Sequence, residues 1–269
     1  TRANSIGRRG SQRRSFPWMT MTEQIKLPKV IELISHEKVT STNEEAKLLA
    51  NKQAPEGTVV WAKEQTAGKG RMNRNWISKP GNLYSSVVLR PSTPLHIAAQ
   101  LSFLPALAVG ELLSNLVPDA SYSFKWPNDV LLNRKKISGI LLESGCWRQS
   151  QPGWLVIGCG INLLHSPLKT TFPATSILEE TDRVVSVNLA LSYYYQSFFK
   201  WYKYWREEGF YSVRDAWLAK AYGMHQKMTV VCGKETYTGH FEGLDDTGAL
   251  KIKTLKGHHT LQAGDVYFN

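Results

Sequence analysis

Cysteine is scarce in this chain of 269 residues, which contains only Cys146, Cys159 and Cys232. The number is odd, and no two of them have the spacing of a zinc-ligand pair. Secreted disulfide frameworks use even numbers of cysteines, and structural zinc sites use closely spaced pairs. The sequence therefore argues against both, and it predicts a reducing, intracellular compartment.

Long hydrophobic runs are also missing. Apolar residues make up 42% of the chain and charged residues 20%, as in an ordinary globular protein. Polar residues interrupt the apolar stretches before they reach the roughly 20 residues that span a bilayer. We expect no membrane association, and the length predicts one large domain or a large domain with a small one.

Acidic residues are missing from the N-terminus, where Glu23 is the first and five arginines lie between positions 2 and 14. Such a segment is typical of a mitochondrial transit peptide and equally of a disordered basic tail. The net charge of +11 could indicate a nucleic-acid binder. Because this tail supplies much of it, we expect a mitochondrial or cytoplasmic protein that binds no nucleic acid.

Hydrophobic periodicity predicts an α+β fold with a mixed or antiparallel sheet, because the strands follow one another closely. The predicted strands are residues 30–34, 58–64, 82–89, 122–126, 130–132, 137–143 and 154–161. The predicted helices are residues 41–51, 94–116 with a break near Pro105, 187–207 and 210–222. Ser41 and Glu44 have the spacing of a capping box. The many aromatic residues of the third helix are expected to pack on the sheet.

The pattern changes after Gly223, where short β-prone stretches alternate with turns. They cover residues 228–232, 237–244, 250–254, 259–262 and 266–268. A small β-barrel domain is therefore expected at 224–269, after a main domain at 29–223 and a basic extension at 1–28. Since about 45 residues are few for independent stability, the barrel should dock on the main domain.

Gly68-Lys69-Gly70-Arg71 forms a basic glycine-containing loop, followed by Arg74 and Trp76. Glycines let backbone N–H groups approach an anion, and the side chains add positive charge. The loop is not a P-loop, because no Gly-Lys-Ser/Thr follows at the required spacing. Alone, a loop of this kind is weak evidence for an anion-binding site. The evidence is stronger here because two further lysines, Lys125 and Lys136, follow in the sequence.

Lys125-Trp126-Pro127-Asn128-Asp129 and the nearby Lys136 complete a cationic set. An enzyme that joins a carboxylate to the α-phosphate of ATP must bring two anions together, and cations lower that barrier. Asp129 could hold Mg²⁺ or orient Lys125. Downstream, Gly158 and Gly160 would let a ligand approach a strand, and Asn162 could read an adenine edge or cap the chain.

In order and spacing these motifs resemble those of the biotin protein ligases, also called biotin–[acetyl-CoA-carboxylase] ligases or holocarboxylase synthetases. The resemblance runs from about Ser41 to the C-terminus and implies a short form without an N-terminal DNA-binding domain. It implies a class II aminoacyl-tRNA synthetase-like catalytic domain and a Src-homology-3-like barrel. It also implies that biotin and Mg-ATP form biotinyl-5′-AMP, which biotinylates a lysine of a biotin carboxyl carrier domain.

The resemblance also assigns candidate roles. The catalytic candidates are Lys136, Arg71 and Lys125, and the metal candidate is Asp129. The biotin-binding candidates are Ser41, Thr42, Gln65, Gly68, Lys69, Arg71, Lys136, Gly139, Gly158 and Gly160. The ATP- and adenylate-binding candidates are Arg71, Arg74, Trp76, Lys125, Asn128 and Asn162. The state of assembly is expected to be a monomer or a homodimer.

Two positions depart from the family pattern, which usually has arginine at Lys69 and glycine at Asn73. Asparagine accepts a left-handed backbone, so the loop can keep its shape. Three alternatives remain open: a lipoate or octanoate ligase on the same fold, a basic nucleic-acid-binding module, and a non-catalytic carrier-binding protein. A nucleic-acid module would bind with an affinity that falls steeply with salt.

Overall fold

The computed structural model describes residues 25–145, 153–168 and 170–268. Most of the predicted basic extension and Cys146 therefore lie outside the described residues. The main sheet has seven strands in the order β1-β2-β3-β7-β6-β5-β4. Their bounds are β1 Glu32–Val39, β2 Thr58–Gln65, β3 Leu83–Leu89, β4 Tyr122–Lys125, β5 Asp129–Leu132, β6 Lys135–Gly145 and β7 Trp154–Ile161.

The sheet is mixed, as predicted. β1 and β2 are parallel, and every other neighbouring pair is antiparallel. β1 begins later and runs longer than the predicted strand at 30–34. Its charged residues weaken the apolar alternation, and its extent follows its pairing with β2, from Glu32 opposite Thr58 to Val39 opposite Gln65.

The helix predicted at 94–116 is divided before its proline. α2 spans Leu95–Ala98, a 3₁₀ turn covers Ala99–Phe103, and α3 spans Leu104–Leu116. Pro105 lies in the first turn of α3, where its missing N–H costs little. By length and composition Leu95–Leu116 could cross a bilayer, which the sequence analysis did not recognise. However, 72% of its most apolar window is buried, as in a core helix.

The remaining helices are α1 Thr42–Asn51, α4 Ile177–Thr181, α5 Val187–Glu208 and α6 Phe210–Leu218. The expected capping box does not form, because the side chain of Ser41 makes no cap hydrogen bond. The short α4, which the sequence analysis missed, is capped by Ser176, whose hydroxyl accepts from the Glu179 amide at 3.2 Å.

The helices cover the two faces of the sheet. α3 and α5 enclose the main core, where Tyr194, Tyr195 and Phe198 are buried, as expected for the aromatic helix. On the opposite face α1 packs over Val88 and Val156 in a smaller cluster. Side chains alternate along a strand. Ser86 on β3, and Gly158 and Gly160 on β7, therefore lie on the α1 face, where the predicted site residues gather.

The C-terminal domain is a five-stranded antiparallel sheet in the order β11-β10-β9-β8-β12. Its strands are β8 Lys227–Cys232, β9 Glu235–Leu244, β10 Leu250–Thr254, β11 Gly257–Leu261 and β12 Asp265–Phe268. It docks on the main domain, as expected: the Gln100 side chain donates to Asp246 O at 2.8 Å, and the Trp126 indole donates to Gly248 O at 3.2 Å. The two domains share one buried hydrophobic cluster.

Candidate active site

The glycine loop folds back on itself beside the sheet. The Trp76 amide donates to Gly68 O at 2.8 Å, and the Gly70 amide donates to Arg74 O at 2.7 Å. A Cβ added at Gly68 would meet Trp76 O at 2.5 Å, so a larger residue would force the loop open. Asn73 has φ 57°, and this left-handed geometry is the one that asparagine was expected to accept.

The arginines of the loop fasten it to two other parts of the molecule. Arg71 Nη1 lies 3.4 Å from Asn128 Oδ1 and also 3.4 Å from Gly264 O in the C-terminal domain. Arg74 forms an ion pair with Asp265, the first residue of β12. Burial lowers the pKa of Arg71, and the nearby Asp265 opposes that shift. The loop therefore bridges the two domains.

Thr42 and Gln65 form one hydrogen-bonded pair on the α1 face. The Thr42 amide and hydroxyl donate to Gln65 Oε1 at 2.8 and 3.1 Å. Gln65 Nε2 donates to Ser78 Oγ at 2.8 Å, and Ser86 Oγ lies 2.8 Å from Thr42 Oγ1. Ser41 is 2% exposed beside them. The structure thus brings together three biotin-binding candidates, and it adds Ser86, which the sequence analysis missed.

Asn43 is a second residue that the sequence analysis missed, although it directly follows Ser41 and Thr42. Its Oδ1 accepts from Ser86 Oγ at 2.6 Å, and its Nδ2 donates to Glu143 Oε2 at 2.8 Å. A Cβ added at Gly158 would lie 2.0 Å from Asn43 Oδ1. The glycine therefore makes room for this side chain.

Trp76 lies over the other two glycines of the predicted site. Added Cβ atoms would lie 2.5 Å from its Nε1 at Gly160 and 2.8 Å from its ring at Gly139. Its Nε1 is buried and has no hydrogen-bond acceptor among the described residues. An unsatisfied buried donor is costly, so a ligand acceptor at this position would be favourable.

Lys136 and Asp129 form the centre of the cationic set. Lys136 Nζ lies 2.6 Å from Asp129 Oδ1 and 5.5 Å from the centre of the Trp76 ring. Asp129 is opposite Lys125 in the β4–β5 pair and opposite Gly139 in the β5–β6 pair. One carboxylate thus lies between the two lysines that the sequence predicted to work together.

Lys125 is only 8% exposed, and its Nζ lies 4.7 Å from the centre of the Phe172 ring. Burial lowers its pKa, and the charge of Asp129 opposes that shift. Phe172 was not predicted as a site residue. A buried ammonium that is compensated mainly by one carboxylate favours binding of a further anion.

The two asparagines predicted at the nucleotide end are both held by the protein. Asn128 Nδ2 donates to Ile140 O at 2.7 Å, and its Oδ1 faces Arg71. Asn162 Nδ2 donates to Thr175 O at 3.0 Å, and the residue is 2% exposed. Their side chains are fixed before any ligand arrives.

Lys69 points away from the cationic centre. Its Nζ lies 2.7 Å from Glu44 Oε1 on α1, and Lys47 lies 2.9 Å from the same oxygen. Hydrogen bonds from Lys69 and Lys47 lower the pKa of Glu44. Glu44 therefore anchors the loop and does not close a capping box.

Asp129 is the residue that the sequence analysis predicted to hold a metal. Within the described ranges no group of three or more His, Cys, Asp or Glu side chains could enclose an ion. Mg²⁺ bound to a nucleotide commonly takes one or two carboxylates, with phosphates and waters completing its shell. Asp129 fits that limited role, and it does not fit an all-protein cage.

A cleft of about 380 Å³ lies elsewhere, lined in part by Glu56, Arg90, Tyr202 and Trp205. It contains none of the motif residues. The Arg90 guanidinium is hydrogen-bonded to backbone carbonyls: it donates to Ala50 O at 2.8 Å and to Gly153 O at 3.0 Å. Arg90 therefore has a structural role, since it connects separate segments of the backbone. The α1 face, which carries the motif residues, is the better candidate site.

Comparison with known proteins agrees with the family resemblance of the motifs. A model of the biotin/lipoate A/B protein ligase family matches residues 35–162, and a model of the biotin protein ligase C-terminal domain matches residues 227–269. A biotin–[acetyl-CoA-carboxylase] ligase of Paracoccus denitrificans is 38% identical over 236 residues, covering 85% of this chain and 97% of the relative. The chain belongs to the biotin protein ligase family.

Two further comparisons place this ligase within its family. The bifunctional ligase/repressor BirA of Bacillus subtilis is 34% identical over 241 residues, which cover 87% of this chain and 73% of the relative. The structure of an Aquifex aeolicus biotin protein ligase in complex with biotin and ATP superposes with a TM-score of 0.76 at 28% identity. That match covers 88% of this chain and 99% of the other. The expected fold, with its catalytic and Src-homology-3-like domains, is confirmed.

Proposed function

We propose that this chain activates biotin with ATP to biotinyl-5′-AMP, releasing pyrophosphate, and then transfers biotin to a lysine of a biotin carboxyl carrier domain. The observation that carries the proposal lies on the α1 face of β7. Gly158 and Gly160 are two residues apart on one strand and so share a face. Gly158 lies against Asn43, which belongs to the polar cluster of Thr42, Gln65 and Ser86. Gly160 lies against Trp76, whose ring is next to Lys136.

The polar cluster suits the ring end of biotin. Ser41, Thr42 and Gln65 offer hydroxyl and amide groups that can both donate and accept, as a cyclic urea requires. The preformed hydrogen bonds between Thr42 and Gln65 orient these groups, which reduces the ordering cost of binding. The three candidates are proposed to hold the ureido ring, with Asn43 and Ser86 supporting them.

The cationic set suits the reacting end. In adenylation a carboxylate oxygen forms a bond to the α-phosphorus, and the bond from that phosphorus to pyrophosphate breaks. Negative charge is concentrated on the phosphorus oxygens in between, so fixed cations stabilise the transition state. Lys136 would contact both the biotin carboxylate and the α-phosphate, while Lys125 and Arg71 would neutralise the polyphosphate. Asp129 would hold Mg²⁺ together with phosphate oxygens.

The glycine loop would protect the product. Biotinyl-5′-AMP is a mixed anhydride that hydrolyses where water reaches it, so the site must close until the acceptor lysine arrives. Gly68, Lys69 and Arg71 belong to that loop, while Arg74, Trp76, Asn128 and Asn162 would surround the adenylate. In the second step the lysine amine attacks the carbonyl carbon, and AMP leaves.

The partner and the cellular setting are part of this proposal. The name of the Paracoccus denitrificans relative points to a carboxylase as acceptor, so a carrier domain is proposed as the protein substrate. We propose a monomer or homodimer that works inside the cell without binding nucleic acid or membrane. The bacterial relatives do not support the mitochondrial alternative.

ATP–pyrophosphate exchange tests the proposal directly. Purified protein with Mg²⁺ would be assayed in parallel with biotin, lipoate, octanoate or no acid. Exchange stimulated only by biotin is expected, followed by biotin transfer to an added carrier domain. Exchange stimulated by lipoate or octanoate would assign the chain to the lipoate branch, which the first family model also covers. No exchange with any acid from folded protein would refute the enzymatic proposal.

A further inference from the structure

Asn82 holds together the backbone that follows β7. It lies immediately before β3 and is 3% exposed. Its Oδ1 accepts three backbone N–H groups in succession, from Leu163 at 2.9 Å, Leu164 at 2.9 Å and His165 at 3.1 Å. Its Nδ2 donates to His165 O at 2.9 Å. One side chain thus satisfies four polar groups of one short segment.

The neighbouring Gly81 makes room for this segment. Gly81 has φ +105°, and an added Cβ would lie 2.7 Å from Leu164 Cδ1. Any larger residue there would be strained in its backbone and would also push against the segment. Gly81 therefore leaves room for the Leu164 side chain, while the hydrogen bonds of Asn82 hold residues 163–165 near the start of β3.

The chain that returns after this segment is fixed on Lys136. The Lys136 amide donates to Pro173 O at 2.7 Å, and the Thr175 amide donates to Lys136 O at 2.9 Å. Immediately before the first attachment, the Phe172 ring lies 4.7 Å from Lys125 Nζ. Both catalytic lysine candidates are thus in contact with Phe172 or Pro173, which follow in sequence the segment that Asn82 holds.

Asn82 also contacts a predicted nucleotide-binding residue. Its Nδ2 lies 3.4 Å from Asn162 Oδ1, while Asn162 Nδ2 donates to Thr175 O. We infer that Asn82 is a positioning residue for the nucleotide half of the site. It fixes the orientation of Asn162 and the backbone beyond it, and among the described residues it makes no hydrogen bond with those proposed to hold the ureido ring of biotin. This inference rests on the proposed function, because it assigns Asn162 to the adenylate.

The separation between the two halves makes the inference specific. The biotin-ring candidates Thr42 and Gln65 are held by Ser86 and Ser78, and within the part of the chain that the structure describes neither of them is hydrogen-bonded to Asn82. Loss of Asn82 should therefore weaken the binding of ATP much more than that of biotin. General loss of folding would instead lower the active fraction without changing either KM.

Two variants separate the acceptor from the donor of Asn82. Asn82→Ala removes both and leaves the N–H groups of residues 163–165, of which that of Leu163 is buried, without this acceptor. Asn82→Asp keeps an oxygen for those groups and removes the donor that faces Asn162. Asn115→Ala is the matched control, because Asn115 is exposed on α3 and its Nδ2 donates to Glu111 O within the same helix. Biotin-dependent ATP–pyrophosphate exchange gives KM for each substrate, and hydrogen–deuterium exchange reports protection of the amides at 163–165.

For Asn82→Ala we expect the KM for ATP to rise by about tenfold or more, as the loss of hydrogen bonds to buried groups predicts. The KM for biotin should change by less than about threefold under the same reasoning. Amide protection at 163–165 should fall. Asn82→Asp should keep that protection and give an intermediate KM for ATP, and the control should match the wild type.

Several results would overturn the inference. Equal increases in both KM values would do so, as would undiminished protection of the three amides in a folded Asn82→Ala chain. If that variant does not fold, Asn82→Asp decides: loss of protection despite the retained oxygen, or an unchanged KM for ATP, would contradict the role. Failure of wild-type exchange would refute the proposed function instead, so the two failures are distinguishable.

Discussion

Lys136 Nζ lies 2.6 Å from Asp129 Oδ1, and this pair joins the start of β6 to the start of β5. The Lys136 side chain remains 26% exposed, whereas that of Asp129 is 14% exposed. The cation is therefore held in place by a carboxylate while one side stays open to a ligand. Substrate anions would compete with Asp129 for Lys136, and binding of a divalent cation at Asp129 would release the lysine.

Replacing Lys136 should remove catalysis and preserve the fold. For Lys136→Gln we expect biotin-dependent pyrophosphate exchange to fall by about 10²–10³-fold, which is typical for loss of one transition-state donor. The free energy of unfolding should change by about 1–3 kcal/mol at most, since Asp129 loses a partner. Lys135→Gln is the matched control, because Lys135 is exposed and pairs with Glu180 at 2.8 Å. Normal exchange in Lys136→Gln would refute the role of this lysine.

Arg71→Gly should uncouple the two half-reactions. The guanidinium connects the loop with Asn128 and with Gly264 O, so its removal frees the loop from both. Adenylate should then escape, and mass spectrometry should detect free biotinyl-5′-AMP and biotinylation of lysines on a bystander protein. Arg183→Gly, at a pair with Asp119 that is 3.1 Å apart, controls for loss of an arginine. Retention of adenylate equal to that of the wild type would contradict the prediction.

The ion pair between Arg74 and Asp265 should control closure more than stability. The Arg74 side chain is 59% exposed, and an exposed pair contributes about 1 kcal/mol or less to stability. Asp265→Arg should raise adenylate leakage several-fold at an almost unchanged melting temperature. The double variant Arg74→Asp/Asp265→Arg should recover part of the loss, as a double-mutant cycle of leakage rates would show. Additive effects of the two changes would mean that the residues act independently.

The sequence was most informative for the strands with a clear apolar pattern and for the candidate site residues with charged side chains. β2, β5 and β7 follow apolar stretches whose limits the sequence shows, and Lys136 and Asp129 were both selected as site residues. β1 was less predictable because its charged residues hide the alternation, and its limits come from pairing with β2. The domain boundaries near residues 28 and 223 stay a prediction, although the second sheet begins at Lys227.

The residues missed by sequence reasoning are those whose partners are distant along the chain. Asn82 contacts Leu163, which lies 81 positions later, and Asp265 contacts Arg74, which lies 191 positions earlier. A lone buried asparagine, or an aspartate at the start of a strand, has no periodic signal. Glu44 was misassigned to a capping box because the spacing fits, whereas a tertiary ion pair with Lys69 and an i,i+3 pair with Lys47 in the same helix engage its carboxylate.

The pH dependence of ATP binding should report on Lys125. Burial lowers its pKa, so the ammonium loses its proton at a lower pH than an ordinary lysine, whose pKa is about 10.4. Since the charged form would bind polyphosphate, kcat/KM for ATP should decline as pH rises through the lowered pKa. The folded state binds fewer protons here than the unfolded state between the two pKa values, so stability rises with pH over that interval and cannot cause the decline. In Lys125→Arg, which stays charged, the alkaline decline should move upward or vanish; an identical decline would assign it to another group.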